Sequence, residues 1–183
     1  MTPSEQEVLL DGSGVATALE RMSQEIVDFA GGTDRLVLVG IQRRGSDLAE
    51  RLAAMIGERE GIQVPLGVMD ITLYRDDLQT IGPRPVVGET RLPVDLDHKW
   101  VMIVDDVLFT GRTIRAALDQ LADFGRPARI GLAVLVDRGG RELPIQADIV
   151  GHKVESQPSD RVDVLVAELD GRDAVELVEG GNT

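Results

Sequence analysis

The sequence predicts an α/β fold built on a parallel sheet. Two observations carry this: short apolar runs alternate with helical patterns along the chain, and the runs are rich in β-branched residues. Leu19, Met22, Ile26 and Phe29 mark an amphipathic first helix that stops at Gly31-Gly32. Leu36 to Ile41 (LVLVGI) reads as a buried strand, and Leu48, Leu52, Met55 and Ile56 follow at helical spacing. Further strands are expected at Val64 to Ile71, Val101 to Val104, Ile130 to Val136 and Val162 to Leu169. Between Tyr74 and Asp97 lie Gly82, Pro83, Pro85, Gly88 and Pro93 with little periodicity, the pattern of a long loop. Ile114, Ala117, Leu118, Leu121 and Phe124 form a helical stripe ending at Gly125, with Pro127 just beyond. Glu179 to Thr183 reads as a frayed tail.

At 183 residues the chain suits one domain, 1–183, with a sizeable core, and no internal repeat or composition break divides it. Its apolar runs fall far short of the ~20 residues a membrane-spanning helix needs. MTPSEQEVLL lacks the basic and apolar regions of a secretory signal, so a soluble, cytoplasmic protein is expected. The absence of cysteine excludes disulfides, zinc–thiolate sites and thiol catalysis. A net charge of −13 opposes nucleic-acid binding except through a local basic patch. His98 and His152 stand in no metal-site spacing and read as surface or packing residues.

Chemistry concentrates at VMIVDDVLFTGRT, Val101 to Thr113. In an open parallel sheet, an apolar strand followed at once by Asp105-Asp106 puts two carboxylates at the carboxyl edge, where ligands bind. The pair suits sugar hydroxyls or magnesium. Thr110-Gly111-Arg112-Thr113 then enters a helix, where hydroxyls, a guanidinium and unpaired amides can surround a phosphate. Taken alone, the acidic dipeptide is better explained by a solvated turn, and the threonines by helix capping.

The thirteen residues together resemble the phosphoribosyl pyrophosphate (PRPP) signature of type I phosphoribosyltransferases. Wider similarity to the PyrR family runs through GIQRRG (Gly40 to Gly45), DITLYRDDL (Asp70 to Leu78), GRP (Gly125 to Pro127) and LAVLVDRGGRELPI (Leu132 to Ile145). That family combines uracil phosphoribosyltransferase activity with mRNA binding. The resemblance implies a parallel-sheet type I fold with a small hood and a flexible lid at about residues 72–90, of which Thr72, Tyr74 and Arg75 are the closure candidates. It implies that Gln42, Arg43, Arg44 and Gly45 meet pyrophosphate, often across a non-proline cis peptide. Asp105, Asp106 and Arg44 become the catalytic candidates, with Mg²⁺ at Asp105 and Asp106, directly or through water. Arg43, Arg44, Gly45, Thr110, Gly111, Arg112 and Thr113 become the PRPP and phosphate contacts.

Purine enzymes of this class carry an acid immediately before T-G-x-T, whereas Phe109 stands here and can neither take nor share a proton. They usually place a lysine where Asp137 stands. Both departures point to a pyrimidine, with Phe109, Asp137, Arg138, Ile149 and Val150 as base-site candidates. The implied ligands are PRPP, uracil, UMP and pyrophosphate, and a homo-oligomer is expected. The implied RNA partner is pyrimidine operon mRNA, for which Arg126, Arg129, Arg138, Arg141 and Lys153 are candidate basic residues. Glu20 and Gln24, flanking Arg21 on the first helix, oppose it, since a carboxylate there repels phosphate. An RNA-binding regulator with vestigial catalysis and a purine-salvage enzyme are the alternatives.

Overall fold

The computed structural model describes residues 6–74, 88–92 and 94–180. The chain opens with β1 (Gln6–Leu10) and α1 (Gly12–Ala30). Asp11 starts the helix by accepting the Gly14 N–H at 2.8 Å, and Gly31, at φ 68°, ends it in the left-handed conformation that glycine adopts without a Cβ penalty. Then come β2 (Leu36–Ile41), α2 (Arg44–Glu60), β3 (Leu66–Met69) and a turn of 3-10 helix, Thr72–Tyr74. β4 (Trp100–Leu108), α3 (Arg112–Leu121), β5 (Arg129–Asp137) and β6 (Ile149–Lys153) follow. The last elements are β7 (Arg161–Leu165), α4 (Ala167–Asp170) and β8 (Ala174–Val178).

Five strands form an all-parallel sheet in the order β3-β2-β4-β5-β6. Both faces are covered, which is why its strands read as continuous apolar runs rather than alternating ones. Leu36, Leu38, Met102 and Val104 join α1 and α2 residues such as Leu19, Met22, Leu48 and Leu52 on one face. Val37, Val39, Val101 and Ile103 meet Ile114, Ala117 and Leu121 of α3 on the other. Each such fully buried aliphatic side chain contributes roughly 1.5–3 kcal/mol.

A second, antiparallel sheet of three strands, β1-β8-β7, forms the expected small hood. Here the sequence-based boundaries fail most. The strand expected over Val162 to Leu169 ends at Leu165, because Asp170 accepts the Val166 N–H and Asp173 the Ala167 N–H, both at 2.8 Å. These local side-chain bonds offer the backbone an alternative to the ladder. α3 likewise stops at Leu121, and Phe124, expected on its buried stripe, is 42% exposed. No helix among the described residues is long and apolar enough to cross a membrane.

Candidate active site

β2 and β4 are the point where the strand order reverses: β2 is followed by β3 on one side, and β4 lies on the other. Open α/β sheets bind ligands in the crevice at such a point. β2 pairs with β4 only as far as Gly40 opposite Val104, whereas β4 stays paired with β5 to Leu108. The strands part at the two aspartates. The resulting cavity, about 280 Å³, is walled by Gln42, Arg43 and Arg44 after β2, by Asp70 and Thr72 after β3, and by Asp105, Asp106 and Thr113.

Asp105 is buried, and its Oδ1 accepts the Asp106 N–H at 2.9 Å. Burial above all, and then the neighbouring Asp106 charge, push its carboxyl well above the ordinary range. Asp106 is half-buried and accepts the Val107 N–H at 2.8 Å. Asp70 goes the other way. Burial opposes its ionisation, yet the Thr72 hydroxyl, the Thr72 N–H and the Gly88 N–H together hold it below the usual value. The carboxylates of this wall offer the oxygen ligands a hard cation takes, and Arg43 and Arg44 opposite them suit an anion.

The Gln42–Arg43 peptide is cis. Arg43 is exposed on the cavity wall and makes no ion pair with a described residue. Arg44, at the start of α2, points its Nε–Nη2 edge at Asp170 of α4, with Nη2–Oδ1 at 2.9 Å and Nε–Oδ2 at 3.3 Å. Gly45 has a packing role: a Cβ there would lie 2.7 Å from the Val104 carbonyl oxygen and 3.1 Å from Asp105 Cα. That contact brings the first turn of α2 against the carboxylate end of β4.

Gly111, at φ 92°, turns the chain into α3. Thr110 Oγ1 accepts the Arg112 N–H at 3.3 Å, and Thr113 faces the cavity. The Arg112 side chain, expected near phosphate, instead holds Glu142 with Nε–Oε2 at 2.7 Å. The loop thus offers phosphate its amides and hydroxyls, with that guanidinium engaged elsewhere.

The base-site candidates are only partly brought together. Arg138 is buried over the Phe109 ring, donating to Ser156 Oγ at 3.0 Å and the Gln157 carbonyl at 2.9 Å. Asp137 pairs with Arg141 at 2.6 Å rather than with Arg138. Ile149 is a correction: it is turned into the core beneath α1, while Val150 packs toward the opposite face. Adjacent residues of a strand point to opposite faces, so a ligand lying on one face of the sheet meets only one of the two side chains. Sequence reasoning missed Arg141 as a builder of this region. Besides Asp137, it donates to the carbonyls of Phe109 (2.9 Å), Gly139 (3.0 Å) and Ile145 (2.9 Å), tying the loop after β5 to the segment before Thr110.

Of the lid candidates, Thr72 and Tyr74 lie in the 3-10 turn, whereas Arg75, the stretch 75–87 and the tail residues 181–183 lie outside the described residues. The candidate basic residues fall into two groups along β5. Arg126 and Arg129 sit at the start of β5, whereas Arg138, Arg141 and Lys153 sit at its far end, about 26 Å away at ~3.3 Å per residue. His98 is exposed in a turn and His152 lies on β6, neither on the cavity wall.

Residues 5–168 match the model of the phosphoribosyl transferase domain family. The Bifunctional protein PyrR of Thermus thermophilus is 58% identical over 171 residues, covering 93% of this chain and 94% of that protein. The Bifunctional protein PyrR of Chloroflexus aurantiacus is 54% identical over 175 residues, 96% of each. Among solved structures, the hypoxanthine phosphoribosyltransferase of Trypanosoma cruzi superposes with a TM-score of 0.72 at 17% identity, covering 97% of this chain and 98% of that one. That of Staphylococcus aureus gives 0.69 at 21%, covering 94% and 92%. At such identities these two show a shared fold.

Proposed function

This chain belongs to the phosphoribosyl transferase family and, within it, to the PyrR proteins, and on that premise we propose that it makes UMP and pyrophosphate from uracil and PRPP. The observation that carries the choice of base is Phe109. The position before Thr110 holds a phenyl ring under a guanidinium, and the one acid at the end of β5, Asp137, is committed to Arg141. No carboxylate there is offered to a purine ring nitrogen.

In this reading the ribose 5-phosphate lies on the Thr110–Thr113 amides and hydroxyls at the start of α3, where the helix end favours anions. Arg43 and Arg44 receive the pyrophosphate, giving charge-assisted hydrogen bonds to a group that gains charge as it leaves. Asp105 and Asp106 hold the ribose hydroxyls and stabilise positive charge on the sugar as uracil N1 attacks. Two adjacent carboxylates, Asp105 and Asp106, would leave the rest of such an ion's coordination to substrate and water. Mg²⁺ at Asp105 and Asp106 would neutralise the diphosphate. The chain's own part is positioning and electrostatics. Closure of a lid beginning at Thr72 and Tyr74 would exclude water from the sugar cation.

The test offers uracil, hypoxanthine and guanine separately with PRPP and Mg²⁺. UMP formation, lost in the D105N/D106N double variant, supports the reading; IMP or GMP without UMP overturns it. A second activity, UMP-responsive binding of pyrimidine operon mRNA, rests on the word "bifunctional" in the relatives' name. The separation of the arginines along β5 weighs against a concentrated phosphate-binding face. Absence of UMP-dependent binding to the leader transcript at low salt removes this activity from the chain.

A further inference from the structure

Helices α2 and α4 are joined by a seam of guanidinium and carboxylate groups. Arg51 meets Asp173 at 2.9 Å through both Nη atoms and Glu168 at 2.8 and 2.5 Å through Nε and Nη2. Arg44, seven residues earlier and so on the same helix face, meets Asp170. The two arginines differ in what they leave over. All three nitrogens of Arg51 are engaged, whereas Arg44, which lines the phosphate cavity, gives Asp170 its Nε–Nη2 edge and its Nη1 makes no hydrogen bond to a described residue.

Asp170 is itself fixed. Its Oδ2 accepts the Val166 N–H at 2.8 Å, and Gly171, at φ 76°, closes the turn behind it. Across the cavity, Asp106 also attracts Arg44. An arginine has many rotamers, and one drawn onto Asp106 would close the space between them and mask that carboxylate. We infer that Asp170 is a positioning residue for phosphoribosyl transfer: it holds Arg44 by one edge, away from Asp106, so that Nη1 faces the diphosphate of PRPP. Ordering the guanidinium before the ligand arrives removes that cost from binding. The inference rests on the phosphoribosyl-transfer reading of the cavity.

Calorimetric binding of PRPP with Mg²⁺ tests it without turnover, on the full chain and on D170N, R44K, R44K/D170N and R51A. Asn retains an oxygen for the Val166 N–H, so the turn is preserved. Either single variant at the Arg44–Asp170 pair should weaken PRPP by about tenfold, as for loss of a charge-assisted contact. The double variant should be no weaker than R44K. R51A, which cuts the same seam without reaching the cavity, should lower the melting temperature and leave PRPP affinity within about twofold, as for a site with no shared partner. The inference fails if D170N binds like the parent, if the double variant shows the product of the two single effects, or if R51A weakens PRPP as much as D170N. A parent protein that does not bind PRPP at all overturns the cavity reading itself and the inference with it.

Discussion

Arg138 lies over Phe109 with its guanidinium carbon 3.9 Å from the ring centroid, and no carboxylate among the described residues forms an ion pair with it. Burial holds this guanidinium below its ordinary pKa. A carboxylate introduced at Phe109 would be captured at once. F109D should therefore lower uracil turnover by about tenfold or more without creating hypoxanthine use, because the new acid pairs with Arg138 instead of the base. A base-competition assay decides: appearance of IMP synthesis would contradict the stacking account.

Asp105 stands in the converse situation, an acid whose burial raises its pKa. Between the unfolded and the raised native value the native state binds more protons, so this group's contribution to stability falls as pH rises through that window. D105N removes the conflict. It should abolish transfer while raising the melting point at neutral pH by about 2–4 °C, the shift that a gain near 1 kcal/mol produces at this chain length. Thermal melts across pH should show the gain shrinking toward the acid end; a lower melting point at neutral pH would sink the idea.

Gly45 tests the packing of α2 on β4. A methyl group at 2.7 Å from the Val104 carbonyl meets backbone, which cannot swing aside. G45A should cost about 1–3 kcal/mol in urea unfolding, with PRPP binding reduced as well because Asp105 is displaced. Parent-like stability and binding would show that the strand yields freely.

At the opposite edge of the sheet, Arg129 is held between Phe29 and Trp100, 4.8 and 4.5 Å from their ring centroids. Trp100 is the chain's one tryptophan, so its fluorescence reports on this place alone. R129A should change that emission and cost about 0.5–1 kcal/mol. PRPP affinity should stay put, since Trp100 stands five residues before Asp105 on β4, roughly 16 Å away at ~3.3 Å per residue; a coincident loss of affinity would refute that independence.

The parallel sheet and the place of the cavity at its carboxyl edge were legible because their signals are local: buried runs such as Leu36 to Ile41, and two carboxylates directly after the apolar run Val101 to Val104. Arg44 and Asp170 were not legible as a pair, since they lie 126 positions apart and meet only through the packing of α4 on α2. α4 was hidden because Val162 to Leu169 has strand composition, and only the Asp170 and Asp173 bonds to backbone amides overrule it. Ile149 was placed by resemblance, and an apolar side chain in a strand buried on both faces carries no sign of which face it takes. Arg141 was read by its charge, whereas most of its contacts are to carbonyl oxygens.

In the hood, β8 is the central strand, with β1 on one side and β7 on the other. A ribosome releases these partners at nearly opposite times. β1 is made first and has no ladder to join until Ala174–Val178 emerges. The closing of that sheet is a contact of very high sequence separation, whose loop entropy must be overcome before any bond rewards it. Asp170 lies in the connection between β7 and β8, so the seat of Arg44 is made just before the strand that joins the two edges of the hood. The parallel sheet, β2 to β6, is complete in sequence before β8 is made; the Arg44–Asp170 contact has to wait for the segment that β8 locks in place.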